Sequence, residues 1–418
     1  MSLQMTVTSD IATDLLTPLG AYLRLRERAG TRGAFLLESV ERGRLGRYSF
    51  VGCGSRLVSF AEAEQLGEPV VGYLAYDYVA TLEPTVLLPA HGPGLPESLF
   101  VVPELLVRFD HARGVAQAML GDTEQVAEAL AAPQPELPRG TGTPGPLRRF
   151  PEREEHLRRV DCAQEHIREG DVFQVVIAQR AERPTSASAL ELYRALRRVN
   201  PSPYLFLLEL DDFALVGSSP ETVVKCEGSR AALNPIAGTI APGEGDGEAL
   251  LSSEKDRAEH VMLVDLGRND LSRVCVAGSV RVERFMTPER YSHVTHLVSE
   301  VVGELREGCS PFELLRACFP AGTVSGAPKV RAMQIISELE GYRRGVYAGA
   351  VGYVLPQQRS LDTCIAIRTL VLRDGVAYLQ AGGGIVADSN PAAEHEECLN
   401  KLGALEAAIE LAERERQR

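Results

Sequence analysis

The chain reads as an α+β protein in which antiparallel sheets are covered by helices, and three observations carry that class. Short β-type runs recur along most of its length with only a few turn residues between them, a spacing that permits hairpins rather than the long crossovers of parallel strands. Among them stand a few long segments with apolar residues at helical spacing. One stretch, residues 131–146 (AAPQPELPRGTGTPGP), is so rich in Pro and Gly that it cannot bury enough surface to form a packed element.

Before that stretch, residues 34–37, 48–52 and 70–74 read as strands, and the alternation in VVGYLAYDYV suits one. After it, 154–169 reads as an amphipathic helix, 172–181 as a strand and 187–198 as a helix. Strands follow at 204–210, 213–218 and 222–226, and again at 346–355, 362–371 and 376–381. Helices over 256–266, 311–318 and 327–339 would cover the sheets. No internal repeat is present. The expected organisation is a β-rich N-terminal lobe (1–130), a linker (131–150) and a larger C-terminal region (151–418) that carries the chemistry.

Composition narrows the function class. The 418 residues carry 44 basic and 57 acidic side chains, a net charge of −13 that argues against a nucleic-acid partner, so any anionic ligand must be met by local Arg, backbone N–H groups or a metal. Eight cysteines are scattered without a CxxC pair, which suits reduced thiols in a cytoplasm better than disulfides or zinc. The segment MSLQMTVTSD has no signal-peptide character, and no apolar run approaches the roughly 20 residues that span a bilayer. A soluble, cytoplasmic protein is expected.

The most informative stretch is AGGGIVADSNPAAEHEECLNK (381–401), where a glycine-rich turn leads into an acid-bearing segment. If the segment from Pro391 is helical, Glu394 and Glu397 share one face. In EKDRAEHVMLVDLGRND (254–270), Asp256 and Glu259 repeat that spacing. An isolated acidic pair is ordinarily a solvated helix face. Two pairs converging on one cleft would repel unless a hard divalent cation sat between them, and Mg2+ favours carboxylates, waters and an anionic substrate.

Further motifs stand in order along the chain: DVFQVVIAQR (171–180), NPSPYLF (200–206), GSSPE (217–221), PIAGT (235–239), YSHVTHLVS (291–299), FPAGTVSGAPKVRAM (319–333), YAGAVGY (347–353) and LDTCIAIRT (361–369). Together with the two acidic segments, and with LLES, GRYSF and GYLAYDYV nearer the N-terminus, they resemble the chorismate-utilising enzymes over nearly the whole length. The resemblance implies a fold of two large, mostly antiparallel sheets packed as a sandwich with helices outside.

It also implies roles. Glu259 and Glu397 would ligate Mg2+, with Asp256 and Glu394 in support through water; Asp256 stands where the family more often has Glu. Tyr347 and Arg368 would hold the enolpyruvyl carboxylate, since guanidinium offers a bidentate fork to one. Gly238, Gly382, Gly383 and Gly384 would let backbone N–H groups approach the substrate, and Thr239 would hydrogen-bond it. Glu221 resembles a general acid, and His296, read on an apolar helix, resembles the histidine that assists the later proton removal; His293 reads as structural. Thr323 and Ser325 form a tight loop near the site with no assigned role.

Two positions choose among the reactions run on chorismate. Relatives that add water carry a Lys where this chain has Gln174, which cannot deprotonate water. Relatives that lead to 4-amino-4-deoxychorismate carry a nucleophilic Lys where this chain has Ala237. The expected reaction is therefore chorismate plus ammonia to anthranilate and pyruvate. An aminodeoxyisochorismate synthase, a 4-amino-4-deoxychorismate synthase component and a catalytically silent tryptophan-sensing scaffold are the alternatives.

Glu38 and Ser39 with Asn200, Pro201, Ser202, Pro203, Tyr204, Leu205 and Phe206 match the segments that bind feedback tryptophan in the family, although both prolines of NPSPY also suit a plain turn before a strand. The family's box usually continues PIAGTRPRG, where Ile240 and Pro242 replace basic residues here. VGCGSRL around Cys53 lacks the setting of an amidotransferase nucleophile, so a separate glutamine amidotransferase chain, and hence a hetero-oligomer, is the expected source of ammonia.

Overall fold

The computed structural model describes residues 10–27, 32–39, 47–240, 243, 245–290 and 295–416, with the side chain of Thr239 outside that set. The readings that rest on residues 1–9, Pro242 and His293 lie outside the described residues.

Two antiparallel sheets, of twelve and ten strands among the described residues, make up the interior. Segments from both ends of the sequence build each of them. In the larger sheet, Gly33–Glu38 lies between Tyr48–Gly54 and Tyr204–Leu210, which continues through Phe213–Ser219 and Thr369–Arg373 to Val376–Ile385 and Gln174–Pro184. In the smaller sheet, Val70–Leu74 pairs with Ala350–Leu355, beside Ser360–Ile365 and Thr222–Glu227.

The strand period of two explains how the layers stack. Phe206 and Leu208 pack with Phe35, Tyr73, Val101 and Val351, residues of both sheets, so this cluster is the seam of the sandwich. Leu205 and Leu207 point the other way, into a cluster with Tyr193, Leu196, Leu402 and Leu405 from the helices Ala189–Val199 and Pro391–Arg416. A third cluster joins the smaller sheet to Phe312, Leu315, Ile335 and Ile336 on Pro311–Cys318 and Lys329–Glu340. The sandwich with outer helices expected from the sequence is the observed architecture. No helix among the described residues is long and apolar enough to cross a membrane.

Several elements differ from the sequence reading, each for a local reason. The run 362–371 is two strands, Ser360–Ile365 and Thr369–Arg373, broken before Arg368, whose φ of 49° a continuous strand cannot hold. The run 346–355 starts its strand only at Ala350, after Ala348 at φ 66°. The helix expected over 256–266 spans Glu254–Ser272, capped by Ser253, whose hydroxyl accepts the Asp256 N–H at 3.2 Å. His296 is on the strand Thr295–Glu304, not a helix: a run rich in Val and Thr pairs on one side with Arg281–Arg290 and on the other with Arg230–Leu233 and Ile236–Ile240. Residues 132–147 carry neither helix nor strand, and the short strand Arg148–Phe150 follows.

The correction that matters for the site concerns the three glycines. They are not a turn but the interior of the strand Val376–Ile385, in register with Gln174–Pro184: Gly382 faces Ala178, Gly383 faces Ile177 and Gly384 faces Val176. Because the strand carries no side chains there, the helix Pro391–Arg416 can bring its acids close to sheet backbone.

The seam fixes the stability of the whole. Phe35 is fully buried, and a Cβ on Gly52 would come within 2.5 Å of its ring. Phe35→Ala is expected to lower the unfolding free energy by about 3–5 kcal/mol, read from a denaturant titration.

Candidate functional site

The two acidic pairs meet at the glycine strand. Asp256 and Glu259 come from Glu254–Ser272, and Glu394 and Glu397 from the first turns of Pro391–Arg416, where Asn390 accepts the Ala393 N–H at 3.1 Å. Glu259 and Glu394 both lie in the field of the same two ammonium groups, Lys255 and Lys401, which places the pairs around one cleft. A Cβ on Gly383 would stand 3.1 Å from Glu394 Oε2 and 3.9 Å from Glu397 Oε1. Gln174 Nε2 donates to Glu259 Oε1 at 3.4 Å and would lie 2.4 Å from a Cβ on Gly384. Ser389 Oγ donates to Glu394 Oε1 at 2.7 Å.

These groups suit a hard cation. Every donor is an oxygen, and burial pushes the carboxyls of Glu259 and Glu394 up from the usual range although Lys255 and Lys401 oppose the shift. The ammonium of Lys401 bridges helix and strand: Nζ is 2.8 Å from Glu397 Oε1 and 2.8 Å from the Gly382 carbonyl. Among the described residues, the three-member group whose ligand atoms all lie within 4.8 Å of one another is instead His166, Glu169 and Asp171. There Asp171 is occupied by Arg331 at 2.5 Å. The wider spacing of the four acids in the cleft suits a site in which some ligands act through water.

Across the cleft stands Glu221, between Phe213–Ser219 and Thr222–Glu227. It is 6% exposed, and burial drives its carboxyl up to about 8 although Thr323 Oγ1 donates to its Oε1 at 2.6 Å. At neutral pH it holds a proton it can give away. Thr323 is thus the partner of Glu221, a role the sequence did not disclose. Ser325 acts through backbone: its carbonyl accepts the Val176 N–H at 2.9 Å.

Arg368 feels the same pocket. Burial lowers its pKa and the Glu221 carboxylate opposes that shift. Its Nη1 donates to Asn200 Oδ1 at 3.3 Å, and among the described residues no carboxylate lies within 4.0 Å of the guanidinium. A partly desolvated arginine without an acid partner is poised for an anionic ligand. Tyr347 is 8% exposed, with its hydroxyl 2.9 Å from the position of a Cβ on Gly382.

On the third side, Gly238 sits at φ 64°, where a Cβ would come 2.8 Å from Leu250 and 3.4 Å from Asp256. Its carbonyl lies 2.8 Å from His296 Nδ1, which sets that nitrogen as the donor and leaves the lone pair on Nε2. Burial lowers the pKa of His296 and keeps the ring neutral. Ala237 is buried on the same strand, and Thr239 follows Gly238 with only its backbone described.

A family model for chorismate binding enzymes matches residues 19–407. The chain belongs to that family. Among its chorismate-binding relatives are proteins named anthranilate synthase component 1 from Thermus thermophilus, 43% identical with 96% of each chain covered, and, as a probable one, from Schizosaccharomyces pombe, 42% identical over 97% of this chain and 92% of the relative. The crystal structure of anthranilate synthase component I from Streptococcus pneumoniae superposes with a TM-score of 0.77 at 32% identity, covering 96% of this chain and all of that one. The menaquinone-specific isochorismate synthase of Escherichia coli has the same fold, with a TM-score of 0.76 at 23% identity over 97% and 95% of the two chains.

This chorismate-binding chain has a second cavity, of about 1040 Å³, away from the acids. Glu38, Ser39 and residues 203–206 line it together with Tyr353 and Asp362. Glu38 is 5% exposed and accepts a hydrogen bond from Tyr193. Pro201 and Ser202 are not among its lining residues, and Asn200 faces Arg368 instead.

The glycine strand yields a direct test. Gly382→Ala would press a methyl against the Ile177 carbonyl at 2.9 Å and the Tyr347 hydroxyl at 2.9 Å, whereas Gly403, inside a helix, has open space around it. Thermal unfolding should show a lowered midpoint for Gly382→Ala and an unchanged or raised one for Gly403→Ala, since alanine is favoured over glycine in a helix by about 1 kcal/mol.

Proposed function

We propose that this chain is the large component of an anthranilate synthase: it adds ammonia at C2 of chorismate, expels the C4 hydroxyl as water, and eliminates pyruvate to leave anthranilate. The observation that carries the choice of reaction is that Gln174, which reaches Glu259, and Ala237, beside Gly238, the two positions that would carry lysines in the hydrating and 4-aminating relatives, are both buried and neither is an amine. Ammonia is then the nucleophile. Atoms balance, because one ammonia enters and one water and one pyruvate leave.

Glu259 and Glu397 would hold Mg2+ directly, with Asp256 and Glu394 in support through water, and the ion would neutralise the ring carboxylate of chorismate. Arg368 and Tyr347 take the enolpyruvyl carboxylate. The glycine strand lets the ring lie against sheet backbone where any side chain would collide. Glu221, protonated at neutral pH, gives its proton to the departing C4 hydroxyl. His296, neutral with its lone pair on Nε2, assists removal of the C2 proton as the enolpyruvyl group leaves as pyruvate; Gly238 fixes its tautomer. Thr239 hydrogen-bonds the substrate from the same strand.

The ammonia is supplied by a separate glutamine amidotransferase chain, so the working enzyme is a hetero-oligomer. The described cysteines form no disulfide, which suits a cytoplasmic enzyme. The second cavity is the seat of feedback inhibition by tryptophan, where Glu38 would meet the ligand's ammonium and Tyr353 and Phe206 its ring. Binding there inhibits only through a higher affinity for the less active conformation.

Incubation of the purified chain with chorismate, Mg2+ and ammonium should give fluorescent anthranilate and equimolar pyruvate, with no turnover on glutamine. An amine without pyruvate would identify an aminodeoxyisochorismate or aminodeoxychorismate synthase instead. Because Glu221 must be protonated, kcat/KM per unit of free ammonia should fall above about pH 8, the alkaline limb belonging to its raised pKa. Glu397→Gln should abolish Mg2+-dependent turnover and any Mg2+-induced rise in melting temperature. Ser39→Phe should relieve tryptophan inhibition while sparing catalysis, and unchanged inhibition would remove the cavity assignment.

A further inference from the structure

The strand that faces the three glycines has an unpaired stretch on its other edge. Gln174–Pro184 pairs there with Gly326–Ala327 through residues 174 and 175 and with Arg148–Phe150 through residues 180–182, which leaves 176–179 without a neighbouring strand. Two side chains fill the gap. Glu340 Oε1 accepts the Ala178 N–H at 2.9 Å, and Arg344 Nη2 donates to the Val176 carbonyl at 2.9 Å. Those are the residues in register with Gly382 and Gly384. The two side chains bind each other, Nε to Oε2 at 2.9 Å and Nη2 to Oε1 at 2.6 Å, with Arg344 3% and Glu340 7% exposed.

Arg344 reaches two further walls of the cleft. Its Nη1 donates to the Val324 carbonyl at 2.6 Å, adjacent to Thr323, the hydrogen-bond partner of Glu221. Its guanidinium lies 5.6 Å from the centre of the Tyr347 ring and 4.7 Å from that of Tyr76. Its own carbonyl accepts Gln380 Nε2 at 3.0 Å, from the glycine strand itself.

We infer that the Arg344–Glu340 pair is a positioning device for the reaction, a substitute strand segment that sets the glycine floor and the Thr323–Glu221 contact in one registration. It touches no substrate. A fork of fixed planar donors is what this task needs, because two carbonyls and a carboxylate must be met at once. A hydrophobic pair of equal volume could fill the space and preserve stability, as buried ion pairs often permit. It would leave the Val176 and Val324 carbonyls and the Ala178 N–H unsatisfied and free to shift.

The inference rests on the proposed reaction, and the experiment separates the two. If the unaltered chain makes no anthranilate from chorismate and ammonium, the proposed reaction fails. If it does, Arg344→Lys, Arg344→Gln and Glu340→Gln are compared with Arg183→Ala, which breaks the Arg183–Glu413 ion pair (2.7 Å) remote from the cleft. The cleft variants should lose at least tenfold in kcat and move the alkaline limb of the pH profile downward as water reaches Glu221. Arg344→Lys should recover part of the loss by serving one carbonyl. Arg183→Ala should lower the melting temperature without moving the limb. Should the Arg344 variants not fold, amide exchange of the unaltered chain decides: slow exchange at Ala178, matching the paired positions of its strand, is expected, and fast exchange overturns the inference. Cleft variants with a lowered melting temperature but an unmoved limb and kcat would overturn it equally.

Discussion

The site depends on one constraint, that strand backbone be left without side chains where it pairs with Gln174–Pro184. Gly382, Gly383 and Gly384 lie inside a ten-residue strand; the missing side chain of Gly383 admits Glu394 and Glu397 on one face, and those of Gly382 and Gly384 admit Tyr347 and Gln174 on the other. A turn could supply bare backbone, but it would not hold it flat. Pairing of residues 175–184 along the full length of Val376–Ile385 does, so the floor inherits the rigidity of the sheet.

Charge is distributed around that floor by burial. Glu221, Glu259 and Glu394 are all held above the ordinary carboxylate range chiefly by desolvation, yet their circumstances differ. Glu221 is buried with the Thr323 hydroxyl and near Arg368 and keeps its proton at neutral pH; Glu259 and Glu394 lie in the field of Lys255 and Lys401. Opposite them, Arg368 is drawn out of water without an acid to meet it. Under the proposed function, an acid for proton transfer, acids for a cation and a guanidinium for an anion are sorted within one cleft by their neighbours.

Much of this was legible in the chain, and the exceptions have physical causes. The helix carrying Asp256 and Glu259 follows from its apolar run, the shared face of Glu394 and Glu397 from their three-residue spacing once the segment from Pro391 is a helix, and the strand Tyr204–Leu210 from its apolar run after two prolines. The glycines misled because a Gly run is usually a turn, and only pairing with a distant strand makes it a floor. His296 misled because a short apolar run does not distinguish helix from strand. The site partners of Thr323, Asn200 and the Arg344–Glu340 pair were invisible because they lie from tens of residues to more than a hundred away in sequence. Lys401 has a local signal, its place four residues after Glu397 on the same helical face.

The central claim is that the cleft is a charge arrangement completed by a divalent cation and a carboxylate-bearing substrate together. Calorimetric titration of Mg2+ into the chain, with and without chorismate and in the absence of ammonia, tests it most directly. The account predicts that chorismate tightens Mg2+ binding at least tenfold and that Mg2+ tightens chorismate binding by the same factor, as linkage requires. Equal Mg2+ affinity in the two titrations, or chorismate binding indifferent to Mg2+, would contradict it.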